Sequence, residues 1–311
     1  MRSPTLLLAP ILLAIAATIP AQQTAQHTTL LLWPSGNPEP SKVVGPEIDP
    51  SKGSVPLVSG KPTTYITNVS HPNLVVYSPP AAKNNGAAAL VFPGGSYTRL
   101  AYTHEGTEVC DWLNSIGMTC ILVKYRVPED AHYPQNTEDL EDAQQAMRLT
   151  RAHAAEWHID PNKIGAIGFS AGAHLAVVLS THPDFQSPNV PPSTPVSALD
   201  ARPNFQMVIY PGWLNGKDNK VDSPVQPTAT TPPTLLVMAE NDYTAHVENA
   251  LIYYQALKDA KVPAELHLFT LGGHGFGLRP TELPISHWPA FAETWLHTIH
   301  ILGPPGPIGQ P

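Results

Sequence analysis

The chain has 311 residues, enough for one large core, and carries a formal net charge of −8, with 17 Lys and Arg against 25 Asp and Glu. It has no basic arm and no basic block interleaved with aromatics, so nucleic acid is not an expected partner. Only two cysteines occur, Cys110 and Cys120, which excludes a disulfide-rich scaffold.

The first residues read as an export signal. Arg2 supplies a positive charge, residues 6–19 are almost entirely apolar, and Ala21 offers a cleavage point. Residues 1–21 are therefore expected to be a secretory signal peptide, with the mature protein periplasmic or extracellular. The apolar run is short for a membrane span, no later segment approaches that length, and no stable membrane insertion is expected. Residues 22–302 are expected to form one catalytic domain, followed by a flexible Gly- and Pro-rich tail over 303–311.

After the signal, residues 30–34 read as a short strand or a packed arm. Residues 35–61, rich in Pro, Gly and Ser, are expected to wrap the surface. Residues 65–69 and 74–77 read as neighbouring strands. A continuous apolar run over 87–92 ends at Pro93-Gly94-Gly95-Ser96, and a helix is expected over 104–115. The next strand spans 119–125, and a long helix follows over about 137–157. Its acids, Glu138, Asp139, Glu141 and Asp142, belong first to that helix; Asp142 either tethers the loop containing Arg126 or faces solvent. Cys110 lies in the first helix and Cys120 in the strand after it, either as a disulfide or as two buried thiols.

Residues 163–172, Lys-Ile-Gly-Ala-Ile-Gly-Phe-Ser-Ala-Gly, carry the most information. An apolar strand enters Gly168-Phe169-Ser170-Ala171-Gly172 and a helix-forming run follows. Strand, tight turn and helix with Ser at the apex describe a nucleophile elbow; the competing reading is a Ser capping a helix. Beyond it come strands over 205–210, 234–239 and 264–269, helices over about 247–260 and 289–301, and two irregular excursions over 183–203 and 213–233. Continuous apolar strands alternating with helices predict an α/β fold, a mostly parallel sheet flanked by helices.

A serine hydroxyl needs a base. His274, in Gly272-Gly273-His274-Gly275, follows the last strand and is the candidate. Asp242, just beyond the strand ending at Ala239, is the acid that would orient it, with Glu240 as a nearby rival. The order Ser170, Asp242, His274 matches the elbow architecture. Backbone N–H groups of Gly95, Ser96 and Ala171 are the candidate oxyanion donors. His174, one turn after Ser170, is expected to pack against the elbow or hydrogen-bond to it. Trp213 and Tyr243 are candidate substrate contacts, each equally readable as loop packing. The histidines are dispersed without zinc spacing, and neither a dinucleotide fingerprint nor a phosphate-binding loop occurs, so neither metal nor cofactor is expected.

With these residues placed, the chain resembles the α/β-hydrolase superfamily. More narrowly it is similar to exported esterases related to bacterial carbohydrate acetylesterases and feruloyl esterases, some of which carry a xylanase label. The resemblance covers residues 31–302 and rests on Leu32-Trp33-Pro34, Phe92-Pro93-Gly94-Gly95, His104-Glu105-Gly106, Tyr125-Arg126-Val127-Pro128, Asp160-Pro161 and the Gly272–Gly277 loop. It implies an α/β-hydrolase with Ser170 as nucleophile, His274 as base, Asp242 as acid, and donors at Ala171 and the Gly94–Ser96 turn. Three departures stand out: Asn241-Asp242 where Asp-Asp is usual, Gly172-Ala173 where Gly-Gly often follows Ala, and Pro93 where His often precedes the Gly pair in the wider lipase-like group. The implied activity is hydrolysis of short acyl esters, with acetyl groups on plant cell-wall carbohydrate as substrate class. The alternatives are a feruloyl or general small-ester hydrolase, and a non-catalytic carbohydrate-binding protein. A glycoside hydrolase would need paired carboxylates across a sugar bond, and no pair here is placed for it.

Overall fold

The computed structural model describes residues 27–304, apart from 41, 44, 52–53 and 191–195. The expected signal over 1–21 and all but the first two residues of the tail lie outside that range. Ten strands are described: β1 (Thr28–Leu31), β2 (Leu57–Val58), β3 (Lys61–Pro62), β4 (Asn73–Tyr77), β5 (Ala88–Phe92), β6 (Thr119–Lys124), β7 (Ile164–Phe169), β8 (Gln206–Ile209), β9 (Thr234–Ala239) and β10 (Ala264–Phe269). Five α-helices accompany them: α1 (Glu108–Ser115), α2 (Glu138–Ala152), α3 (Ala171–Thr181), α4 (Glu248–Asp259) and α5 (Trp288–Thr298).

Eight strands form one sheet in the order β1-β4-β6-β5-β7-β8-β9-β10. β1 and β4 run antiparallel to their neighbours, and every pairing from β6 to β10 is parallel. The apolar runs become β5, β7, β8 and β9, buried along their whole length. Burial on both faces removes the need for alternation, and helices supply the cover. α2 packs on α3, and α1 meets α5 through Trp112 and Trp288, whose ring centroids are 5.5 Å apart.

The register decides where chemistry can occur. Phe92 pairs with Gly168, Phe169 with Ile209, Ile209 with Val237, and Ala239 with Phe269. The carboxyl ends of β5, β7, β8, β9 and β10 are thus level, and their following loops gather at one edge.

Three local expectations change. Residues 65–69 form no sheet strand; Ile66, Thr67 and Val69 make single bridges to Leu100, Ile48 and Val127 respectively, and Asn68 between them takes a left-handed φ of 59°. The helix expected from His104 begins as a π-helical turn over Thr103–Thr107 before α1. The irregular arm contains the hairpin β2–β3. Cys110 and Cys120 are joined as a disulfide, which answers the open choice at that pair.

Candidate active site

The elbow is built by close approach. A Cβ at Gly168 would lie 2.0 Å from the Gly172 carbonyl oxygen, and one at Gly172 would lie 2.0 Å from that of Phe92. Only glycine lets β7, the turn and α3 meet this tightly. Ser170 takes φ 53° and ψ −116°, a conformation costly for a non-glycine residue and characteristic of functional turns. Although it occupies the N-cap of α3, its hydroxyl makes no capping bond. That hydroxyl instead lies 2.8 Å from His274 Nε2.

His274 Nδ1 lies 2.6 Å from Asp242 Oδ2. A carboxylate only accepts, so Nδ1 carries the proton and Nε2 is free to accept from the Ser170 hydroxyl. Asp242 Oδ1 accepts the N–H groups of Thr244 at 2.9 Å and Ala245 at 3.0 Å. Burial alone would raise its carboxyl, but the hydrogen bond from His274 and those from the Ala245 and Thr244 N–H groups outweigh it and hold the carboxyl below its ordinary value. Glu240, the rival acid, is exposed, and its backbone N–H pairs with Phe269. Asn241, read from sequence only as a departure at the first acidic position, accepts the N–H groups of Gly272 and Gly273, each at 2.9 Å. It ties the acid loop to the base loop, a task its amide performs without a charge.

The turn after β5 faces the elbow. The Gly94 N–H points inward to Glu105 Oε2 at 2.7 Å. Gly95 takes φ 137°, where a Cβ would lie 2.0 Å from the Arg99 carbonyl oxygen. Ser96 and Tyr97 follow with φ of 56° and 57°. Among the described residues, no acceptor takes the backbone N–H of Gly95, Ser96 or Ala171. These three N–H groups are therefore unpaired, on a turn whose first glycine packs against Ser170, where a Cβ at Gly94 would lie 2.8 Å from Ser170 Cβ.

An aromatic wall rises on the α3 side. His174, whose N–H bonds the Ser170 carbonyl at 3.1 Å, is buried and its Nδ1 lies 2.8 Å from the Tyr97 hydroxyl. Burial first, and then the nearby His132, push it down to about 3, so its imidazole is neutral. The Trp213 ring lies 5.7 Å from Tyr97, 4.9 Å from His132 and 5.8 Å from His174. Trp213 is 39% exposed and Tyr243, beside Asp242, is 85% exposed; no ring contact of Tyr243 is seen among the described residues.

Other charges hold the frame. Asp142 is buried and takes both the Nε–H and the backbone N–H of Arg126, together with the Trp33 indole N–H at 2.7 Å. Of the two roles left open for Asp142, the structure shows the tether. Glu138, Glu141 and Asp142 of α2 are buried rather than solvated because Arg126 and Lys42 reach them, whereas Asp139 is buried with no cation paired to it among the described residues. Arg279 is 4% exposed, pairs with Glu108, and donates to the carbonyls of Val58, Lys61 and Pro62, pinning the β2–β3 hairpin beside the His274 loop. A cavity of about 300 Å³ lies there, lined in part by Leu57, Ser59, His274, Gly275 and Thr281. The sequence held no local signal for these long-range pairs. Among the described residues, no helix is long and apolar enough to cross a membrane, and no group of three or more His, Cys, Asp or Glu is arranged to hold a metal ion.

With the geometry in place, the chain can be set beside known proteins. A family model described as BD-FAE matches residues 74–194. An acetylxylan esterase of Xylanibacter ruminicola is 32% identical over 217 residues, covering 62% of this chain and 42% of that protein. This chain thus spans less than half the length of that curated relative. The crystal structure of an acetyl ester-xyloside bifunctional hydrolase from Caldicellulosiruptor lactoaceticus is 34% identical, with a TM-score of 0.67 over 83% of this chain and 98% of that one. A thermophilic esterase from Thermogutta terrifontis, solved with propionate bound, is 25% identical with a TM-score of 0.64 over 77% of this chain and 93% of that one.

Proposed function

The chain belongs to the BD-FAE family of α/β-hydrolase esterases, and from that premise we propose that it is a serine carboxylesterase that removes short acyl groups, acetyl above all, from carbohydrate. The observation that carries this is the chain of contacts from Ser170 through His274 to Asp242, at 2.8 Å and 2.6 Å, with the serine hydroxyl free of any capping role. Ser170 Oγ attacks the ester carbonyl and His274 Nε2 takes its proton. Asp242 stabilises the imidazolium, and the N–H groups of Gly95, Ser96 and Ala171 receive the oxyanion. Collapse of the tetrahedral intermediate returns the proton to the departing alcohol and leaves an acyl-enzyme. Water, activated by the same imidazole, then releases the acid.

Reaction geometry sorts the two sides of the cleft. The departing oxygen must lie within reach of His274 Nε2, so the alcohol occupies the His274 side, where the cavity beside the β2–β3 hairpin offers room. The acyl group points the other way, toward α3 and the cluster of Tyr97, His132 and Trp213. Those crowded rings favour a short acyl chain. The acetyl-ester activity named for two relatives and the propionate bound to a third agree with that size. Residues 1–21 remain, on sequence, a secretory signal, which would deliver the enzyme to the periplasm or beyond, where polymeric carbohydrate is met.

The test compares acetate release from acetylated xylan and other acetylated glycans with cleavage of feruloyl, butyryl and octanoyl esters. The expected outcome is acetate release, lost in Ser170→Ala. Preference for octanoyl esters with no acetate from any glycan would overturn the substrate class. Unchanged turnover in Ser170→Ala would overturn the mechanism. Intact mass of protein from its native cells tests export: retention of Met1 in a cytoplasmic fraction would contradict it.

A further inference from the structure

The segment His104-Glu105-Gly106 takes no part in the acyl-transfer scheme, yet it lies at the junction of its parts. Glu105 sits in the π-helical turn, a distortion often found at functional sites, and is 3% exposed. Its two carboxyl oxygens are divided between two loops. Oε2 accepts the Gly94 N–H at 2.7 Å, at the base of the oxyanion turn. Oε1 accepts the Tyr210 hydroxyl at 2.8 Å. The Tyr210 oxygen in turn accepts the Gly277 N–H at 3.2 Å, and its ring lies 4.9 Å from that of His274. Packing locks both contacts. A Cβ at Gly94 would lie 2.8 Å from Glu105 Oε2 and from Ser170 Cβ, and one at Gly277 would lie 2.6 Å from the His104 carbonyl oxygen.

We infer that Glu105 is a positioning residue that fixes the oxyanion turn against the His274 loop, with Tyr210 as its second arm. Turning the Gly94 N–H inward leaves the next two N–H groups facing the elbow. A buried carboxylate is costly to desolvate, and this one accepts from the oxyanion turn and from Tyr210 at the end of β8, which in turn holds the Gly277 N–H of the His274 loop. The inference rests on the esterase reading and assigns part of its transition-state stabilisation to a residue that never touches substrate.

Turnover of p-nitrophenyl acetate, inhibition by a methyl trifluoromethyl ketone and thermal melting are to be measured for the parent, Glu105→Ala, Glu105→Gln and Tyr210→Phe. Gln keeps an acceptor for the Gly94 N–H but turns its NH₂ toward Tyr210, whose hydroxyl proton then loses the acceptor it has in the parent. Because oxyanion contacts act in the transition state, Glu105→Ala should lower kcat by about tenfold to a hundredfold with KM nearly unchanged, and weaken the ketone by a similar factor. Glu105→Gln restores the Gly94 arm alone and should recover part of that loss, and Tyr210→Phe should show a smaller loss of the same kind. Parental kcat in Glu105→Ala would overturn the inference, as would a loss that Gln does not recover. If Glu105→Ala does not fold, Tyr210→Phe with parental kcat and parental ketone affinity overturns it. A parent inactive on every ester refutes the esterase reading and this inference with it; an active parent matched by the variants refutes the inference alone.

Discussion

Replacing Asp242 by Asn tests the acid assignment through a proton rather than through a contact. In the parent, Asp242 Oδ1 holds the N–H groups of Thr244 and Ala245, and Oδ2 faces His274 Nδ1. The asparagine amide can sit in two ways. Keeping its oxygen on the two backbone N–H groups points its NH₂ at His274. The reverse would set NH₂ against the buried Ala245 N–H and the part-buried Thr244 N–H, at about 1–3 kcal/mol for the buried one alone. The first orientation therefore prevails. His274 Nδ1 must then accept, the ring proton moves to Nε2, and the nitrogen facing Ser170 can no longer take a proton. In serine proteases the same wrong tautomer lowers kcat by about 10⁴, equivalent to roughly 5.5 kcal/mol. The same order is expected here for p-nitrophenyl acetate at neutral pH, with KM nearly unchanged because Asp242 does not meet substrate. Circular dichroism and melting should confirm an intact fold. Turnover within tenfold of the parent would refute this reasoning and return Glu240 to consideration.

Trp213→Ala should raise kcat/KM for butyryl relative to acetyl esters by about tenfold, the scale of a methylene or two in an apolar pocket; an unchanged ratio places Trp213 outside the acyl side. Asp139, whose Oδ2 has no partner among the described residues, is pushed by burial from 3.8 up to about 7. Between those values the folded state holds a proton that the unfolded chain has lost, so stability falls as pH rises through that window and stays low above it. Asp139→Asn should therefore flatten the fall in melting temperature between pH 5 and 8 and raise it at pH 8; identical pH profiles for variant and parent would refute this. Cys110→Ala/Cys120→Ala opens a loop of sequence separation 10 and should cost about 3 kcal/mol, read as a lower melting temperature; no change in melting would show that the bridge adds nothing.

Much of this site is legible in the sequence because its signals are local. The elbow announces itself through Gly168 and Gly172, whose missing side chains the fold requires at 2.0 Å contacts. The parallel sheet is legible because β5, β7, β8 and β9 are buried on both faces and so read as unbroken apolar runs. What stays hidden is pairing over long separations. The sequence favours Asp242 but leaves Glu240 as a rival two residues away; the loop turns Asp242 inward and leaves Glu240 exposed. Glu105 and Tyr210 are 105 residues apart, and nothing near either predicts the bond between them. Residues 65–69 carry strand-like composition but meet three separate partners, so tertiary context overrides their pattern. Glu138, Glu141 and Asp142 look solvated in a helix until Arg126 and Lys42 are seen beneath them.

The central claim is that Ser170 carries the acyl group. Its most direct test is to mix the protein with p-nitrophenyl acetate, quench in acid within the first turnovers, and map the acetyl group by peptide mass spectrometry. The expected result is one acetyl group on the peptide containing Ser170, present in the parent and absent in Ser170→Ala. Steady turnover by the parent with no acetyl on that peptide, or the same adduct in Ser170→Ala, would contradict it.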